Sequence, residues 1–115
     1  MIRHIQHREF FDYHAPTWDQ DETPEKRDAL YRIIKRLKLD LHQSVLDVGC
    51  GTGILVPVIK SLGGENNRLI EADISAVMLR RNKEKWNGLY SGLHPAAVDA
   101  HDLPFRDESF EVIIC

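Results

Sequence analysis

Apolar and polar positions repeat with two different periods along this chain, and the change falls near residue 44. Before it, Ala29, Leu30, Ile33, Ile34, Leu37 and Leu41 recur at the spacing of one helix face. Thr23-Pro24 marks the start of that helix. Thr23 can cap it, and Pro24 suits the first helical position, where its missing N–H would be unpaired anyway. Lys26, Arg27, Arg32, Lys35, Arg36 and Lys38 fall mostly on the other faces and read as a solvated surface. Residues 1–22 mix Phe10, Phe11, Tyr13 and Trp18 with charges and show no clear period. They are expected to form a partly helical extension packed on the domain of residues 23–115. Tyr13, His14 and Trp18 are available there as a lid over a ligand.

After residue 44, short apolar runs alternate with helical stretches. Ser44–Val48 predicts a first strand, Gly49–Gly53 a glycine loop, and Ile54–Leu62 a helix that stops at Gly63-Gly64. Pro57 must sit in the first turn of that helix. Arg68–Asp73 predicts a second strand, and Ser75 caps a helix to about Trp86. Pro95–Asp99 predicts a third strand. Phe110–Cys115 predicts a fourth, apolar enough to be buried on both faces. Strands alternating with helices imply right-handed crossovers and an α/β fold with a doubly wound parallel sheet.

Composition narrows the function classes. The chain has 115 residues, 15 Lys and Arg against 18 Asp and Glu, and a net charge of −3. That length suits one domain, and 43% apolar residues supply a core. The slight acidity argues against a nucleic-acid binder held by phosphate contacts. No apolar run reaches the roughly 20 residues of a membrane span. The N-terminus has no secretory h-region. Two cysteines, Cys50 and Cys115, make no disulfide framework, so a reducing cytoplasmic setting is expected. No metal site is expected, because His4 and His7 are the only close ligand pair and no CxxC accompanies them.

The chemistry concentrates at strand ends. Asp47-Val48-Gly49-Cys50-Gly51-Thr52-Gly53 places an acid and a glycine loop where open α/β sheets bind ligands. Gly49 and Gly51 let the backbone turn and approach a ligand without a Cβ in the way. A dinucleotide fingerprint needs a small residue at position 54, which is Ile54, and Asp47 suits a positively charged ligand better than a pyrophosphate. No Gly-Lys-Ser/Thr follows, which excludes a Walker A loop. Asp73 ends the second strand, 20 residues after Gly53, and can accept from both ribose hydroxyls. Ile74 can lie on an adenine face. Asp99 can accept from an exocyclic amine while the Ala100 N–H donates to a ring nitrogen, a two-point reader of adenine. Cys50 is expected to be a small packing residue, His101 a loop histidine, and Glu71 a surface acid paired with Arg68 or a neighbour, the alternative being that Glu71, on the same side of its strand as Asp73, crowds or repels there. Arg80, Arg81, Lys83 and Lys85 are expected to coat an exposed helix face.

Three ordered segments, VLDVGCGTG, EADIS followed by Met78-Leu79, and DAHDLPFRDESFEVII, resemble class I S-adenosylmethionine-dependent methyltransferases. The likeness is to the type 11 group, and the stretch from Phe11 to Asp19 resembles the segment before the core in ubiquinone and menaquinone C-methyltransferases. The resemblance implies a Rossmann-like sheet in the order 3-2-1-4. It implies S-adenosylmethionine as cofactor and a small-molecule methyl acceptor. Asp47, Gly49 and Gly51 would then lie at the methionine part, with Cys50 of the same loop among the cofactor-binding residues, Asp73 at the ribose, and Ile74, Asp99 and Ala100 at the adenine. Where many relatives carry glycine two positions before the ribose acid, this chain has Glu71. The family sheet has seven strands, so the chain corresponds to the N-terminal part of that domain, truncated after the fourth strand. A non-catalytic cofactor-binding or interaction module is the alternative. An apolar fourth strand at a sheet edge is expected to self-associate.

Overall fold

The computed structural model describes residues 2–40, 43–64, 66–106 and 109–115, and side chains from residue 8 onward except Asp21. Leu41 and the side chains of His4 and His7 therefore lie outside the described residues. The chain opens with α1 (Ile2–His14) and a 3₁₀ segment (Ala15–Asp21), followed by α2 (Pro24–Lys35). Then come β1 (Val45–Val48), α3 (Val56–Gly63), β2 (Leu69–Asp73), α4 (Ala76–Trp86), β3 (Leu93–Ala97) and β4 (Val112–Ile114).

The four strands form one sheet in the order β3-β2-β1-β4, every pair parallel. Side chains alternate between its faces. Val45 and Leu69 point to one face and pack with Val56 and Ile59 of α3, Ile34 of α2 and Trp86 of α4. Leu46, Ile70 and Ala72 point to the other face, covered by Leu103, Phe105 and Phe110 from the β3–β4 connection. Thus α3 and α4 cross one face, and the return to β4 crosses the opposite one. The crevice between these two directions opens at the carboxyl end of β1, the topological switch point of an open α/β sheet.

The elements fall close to their predicted positions, with four differences that have physical causes. First, α3 begins at Val56 rather than Ile54. Positive φ at Gly49, Gly51 and Gly53 keeps the chain out of helical conformation through the loop. Second, the apolar stripe of α2 is mostly uncovered. Only Ile34 is buried, while Ala29 and Ile33 are exposed, because α2 meets the domain chiefly along one stripe against α3; Leu37 lies exposed beyond the helix, which ends at Lys35. Third, β3 runs from Leu93 to Ala97, so Asp99 lies beyond the strand rather than at its end. Pro95 is tolerated because β3 is an edge strand. Fourth, β4 is not buried on both faces. Val112 and Ile114 pack into the first cluster, but Ile113, opposite Leu46, is 57% exposed at the other edge.

One buried cation holds the amino ends of the strands. Lys60 on α3 is 1% exposed, and its Nζ donates to the carbonyls of Asn67 at 2.6 Å and Ser91 at 2.5 Å. Burial lowers its pKa, while Glu71 pulls in the opposite direction. Gly92 makes this possible. Its φ is +72°, and a Cβ there would meet the Asn67 carbonyl at 2.5 Å. Lys60→Met keeps the aliphatic stem but removes the donor to both carbonyls. It is expected to cost about 1.5–3 kcal/mol of stability. Urea denaturation checks this, and an unchanged midpoint would show that the clamp contributes nothing.

Candidate functional site

A cavity of about 320 Å³ lies at the carboxyl ends of β1, β2 and β3. Its floor is the glycine loop, and one carboxylate sets the loop's shape. Asp73 Oδ2 accepts from the Gly51 N–H at 2.8 Å, and Asp73 Oδ1 accepts from the Ser75 N–H at 2.9 Å. The strand-end acid therefore fastens the loop after β1 to the start of α4. The loop's own amides add to this, since Gly49 and Cys50 both donate to the Ala72 carbonyl. Gly49 and Gly51 turn with φ of +74° and +57°, and a Cβ on Gly49 would meet nothing within 4 Å.

From the other side α4 grips the loop. Ser75 Oγ caps this helix by accepting from the Met78 N–H at 3.1 Å. About two turns after the cap, Asn82 Nδ2 reaches Glu71 Oε1 at 3.1 Å and the Gly51 carbonyl at 3.5 Å. Trp86 Nε1 then donates to the Gly53 carbonyl at 2.9 Å. Asn82 explains the third glycine, because a Cβ on Gly53 would meet its amide at 2.7 Å.

The cavity gathers most of the residues singled out in the sequence. Gly49, Cys50, Gly51, Asp73, Ile74, Asp99 and Ala100 line it, and so does His101. Asp99 Oδ1 accepts from the His101 N–H at 2.9 Å, an Asx turn that shapes the rim. Cys50 is buried, and its thiol is pushed up by burial and by Glu71, Asp47 and Asp73, so it packs rather than reacts.

Two acids are placed differently from expectation. Asp47 does not line the cavity. It is 3% exposed and lies behind the loop. Glu71 is not a surface acid paired with Arg68, because it is 2% exposed and stands directly opposite Asp47 in the β1–β2 register. Arg68 instead lies over the Phe110 ring. The two carboxyls lie close enough to share a hydrogen bond once one of them carries a proton. Burial and the neighbouring acid push Glu71 up to about 10, while burial raises Asp47 to about 6 against the lowering effect of the Glu71 hydrogen bond.

The N-terminal segment roofs the cavity with Phe11 and Trp18, whose rings meet edge to face at 5.7 Å. It is held by polar contacts. Ser75 Oγ donates to Asp12, Thr52 Oγ1 donates to Asp19, and Lys85 pairs with Asp19 at 3.3 Å and Glu22 at 3.1 Å. Lys85 is therefore not a simple surface coat. A second cavity of about 400 Å³ borders the first and shares Trp18, Cys50 and Ile54 with it. His14 lines this second cavity, whereas Tyr13 is exposed to solvent.

Sequence reasoning missed Asn82, Trp86, Lys85 and Asp12. For the first two a signal was present. Ser75, Met78, Leu79, Asn82 and Trp86 recur at helical spacing, so a polar Asn82 inside an otherwise inward-facing stripe marks a buried hydrogen-bonding site.

The comparisons with known proteins fit this geometry. Residues 45–115 match the profile of a family described as a methyltransferase domain. The chain is 36% identical over 92 residues to a ubiquinone/menaquinone biosynthesis C-methyltransferase of Vibrio campbellii, covering 74% of this chain and 36% of that protein. A protein of the same description from Methylococcus capsulatus is 34% identical over 92 residues, covering 74% and 37%. The chain thus spans little more than a third of the length of these relatives. Among solved structures, phosphoethanolamine N-methyltransferase 1 of Haemonchus contortus superimposes with a TM-score of 0.75 at 18% identity, covering 97% of this chain and 25% of that one. An S-adenosylmethionine-dependent methyltransferase of Aquifex aeolicus gives 0.64 at 23% identity, covering 79% and 55%. A family match that begins at the first residue of β1 and a parallel sheet in the order 3-2-1-4 lead to the same place: this chain belongs to the class I S-adenosylmethionine-dependent methyltransferases.

Proposed function

We propose that the protein transfers a methyl group from S-adenosylmethionine to a small-molecule acceptor, and that residues 1–115 carry its cofactor-binding part. The observation that carries this reading is the Asp73 carboxylate, which holds the glycine loop and also faces the cavity that the loop floors. The cavity suits such a cofactor. The open space over Gly49 admits a ligand against the backbone, and acids stand on the rim past β2 and β3. When bound, the cofactor supplies an electrophilic methyl group on a cationic sulfonium and is left as a neutral thioether after transfer.

The chain's own residues bind and position. Each Asp73 oxygen accepts one backbone N–H and keeps a lone pair for a ribose hydroxyl. Ile74 offers an apolar face to the adenine, and Asp99 with the Ala100 N–H reads its edge. Phe11 and Trp18 exclude water from above, which strengthens the polar contacts below. In-line transfer needs donor and acceptor held in line more than it needs a base. The second cavity is the proposed acceptor side, because it opens onto the same Trp18, Cys50 and Ile54. Its aromatic wall of Phe10, His14 and Trp18 suits a ring-bearing acceptor, in keeping with the quinone-pathway C-methylation named for the relatives.

Two substitutions test the cofactor reading. Asp73→Ala removes charge-assisted bonds to both ligand and loop. It is expected to weaken S-adenosylhomocysteine binding by about 1.5–3 kcal/mol in calorimetric titration. Unchanged affinity would remove Asp73 from the site. Gly51→Val puts a branched side chain at φ +57° beneath the ligand. Binding is expected to vanish while circular dichroism stays close to that of the parent. A folded variant that binds normally would show that this loop is not the cofactor loop.

A further inference from the structure

We infer that Asp47 and Glu71 together hold one proton and one negative charge beneath the glycine loop, and that this charge makes the cavity prefer a cationic sulfonium over the neutral thioether. The inference rests on the cofactor reading above and adds a specificity device to it. Its first support is position. Asp47 and Glu71 are register partners on adjacent parallel strands, each one residue before a residue that lines the cavity, Val48 and Ala72. A strand advances about 3.3 Å per residue, so the pair lies one step below the cavity floor.

The second support is that the pair is left electrically incomplete. Asp47 Oδ2 and Glu71 Oε2 are buried and have no hydrogen-bond partner among the described residues. Uncompensated buried charge is costly, and two carboxylates side by side cannot both ionise. One proton between them is the stable filling, with the protonated Glu71 donating to Asp47 and Asn82 fixing the other side of Glu71. Around the pair, Asp73 and Cys50 add no positive charge and Asn82 is neutral, while the Lys60 ammonium, which feels Glu71, donates to the Asn67 and Ser91 carbonyls. The outer register neighbours, Pro95 beside Glu71 and Ile114 beside Asp47, do not titrate. A buried charge is poorly screened by solvent, so it acts on a cation across the thin floor of the loop.

The test is a ratio of affinities. Dissociation constants for S-adenosylmethionine and S-adenosylhomocysteine are measured by calorimetry from pH 5 to 10 on the parent chain, Asp47→Asn and Glu71→Gln. Raising pH adds negative charge to the pair, so the preference for the sulfonium is expected to rise with pH in the parent, by about threefold to tenfold across the range. Asp47→Asn, nearly isosteric, is expected to lower that preference at pH 7 by a similar factor. Glu71→Gln is expected to flatten the rise at the alkaline end. A merely structural role would change both affinities together and leave the ratio flat, and a ratio unmoved by pH in the parent overturns the inference even if a variant fails to fold. If the parent binds neither ligand, the cofactor reading falls and takes this inference with it. If it binds both with a pH-independent ratio, only the inference falls.

Discussion

The site depends on a single carboxylate that two segments share. Asp73 ends β2 and spends one oxygen on the Gly51 amide and the other on the Ser75 amide. The first bond sets the loop after β1, and the second sets the start of α4. Charge-assisted bonds of this kind are roughly twice as strong as neutral ones, and they lie where water is partly excluded. With the loop and helix fixed to one point, the remaining contacts fall into line. Ser75 can cap α4 and reach Asp12, Asn82 arrives under Gly51, and Trp86 reaches Gly53.

Around that point the polar groups form two layers of different character. The upper layer is only partly buried. Asp12, Asp19, Glu22 and Lys85 tie the N-terminal segment over the cavity through hydroxyls and ion pairs. Ion pairs that solvent still partly reaches contribute little individually, so the roof is the weaker part of the site. The lower layer is closed off from the surface. Asp47, Glu71 and Asn82 lie buried between the strands and α4, where each polar atom has a large effect. The roof is therefore held by the weaker contacts, and the floor by buried polar groups that fix its shape.

Lys60 shows the same economy at the opposite end of the sheet. A lysine on an apolar helix face looks out of place by composition. Here its ammonium satisfies two carbonyls in the turns before β2 and β3. Chain reversals leave backbone acceptors that the sheet cannot pair, and a long flexible cation reaches them without distorting the helix.

The sequence by itself determined the order of elements, the parallel sheet and the placing of acids and glycines at strand ends. These are local matters. Hydrophobic period fixes strand or helix, and positive-φ turns demand glycine where a loop must fold tightly. The glycine loop, Asp73, Ile74, Asp99 and Ala100 were legible for that reason. Only the tertiary structure decided what depends on residues distant in the chain. Glu71 read as a surface acid because nothing in its own strand shows that Asp47 lies beside it and Asn82 above it; register across strands decides that. Ile113 read as buried on composition alone, although the expected order 3-2-1-4 already put β4 at an edge; only the structure shows that its face is left uncovered there. Lys85 read as a surface coat because its acidic partners, Asp19 and Glu22, stand more than sixty positions away and meet it only when the N-terminal segment folds back over the sheet.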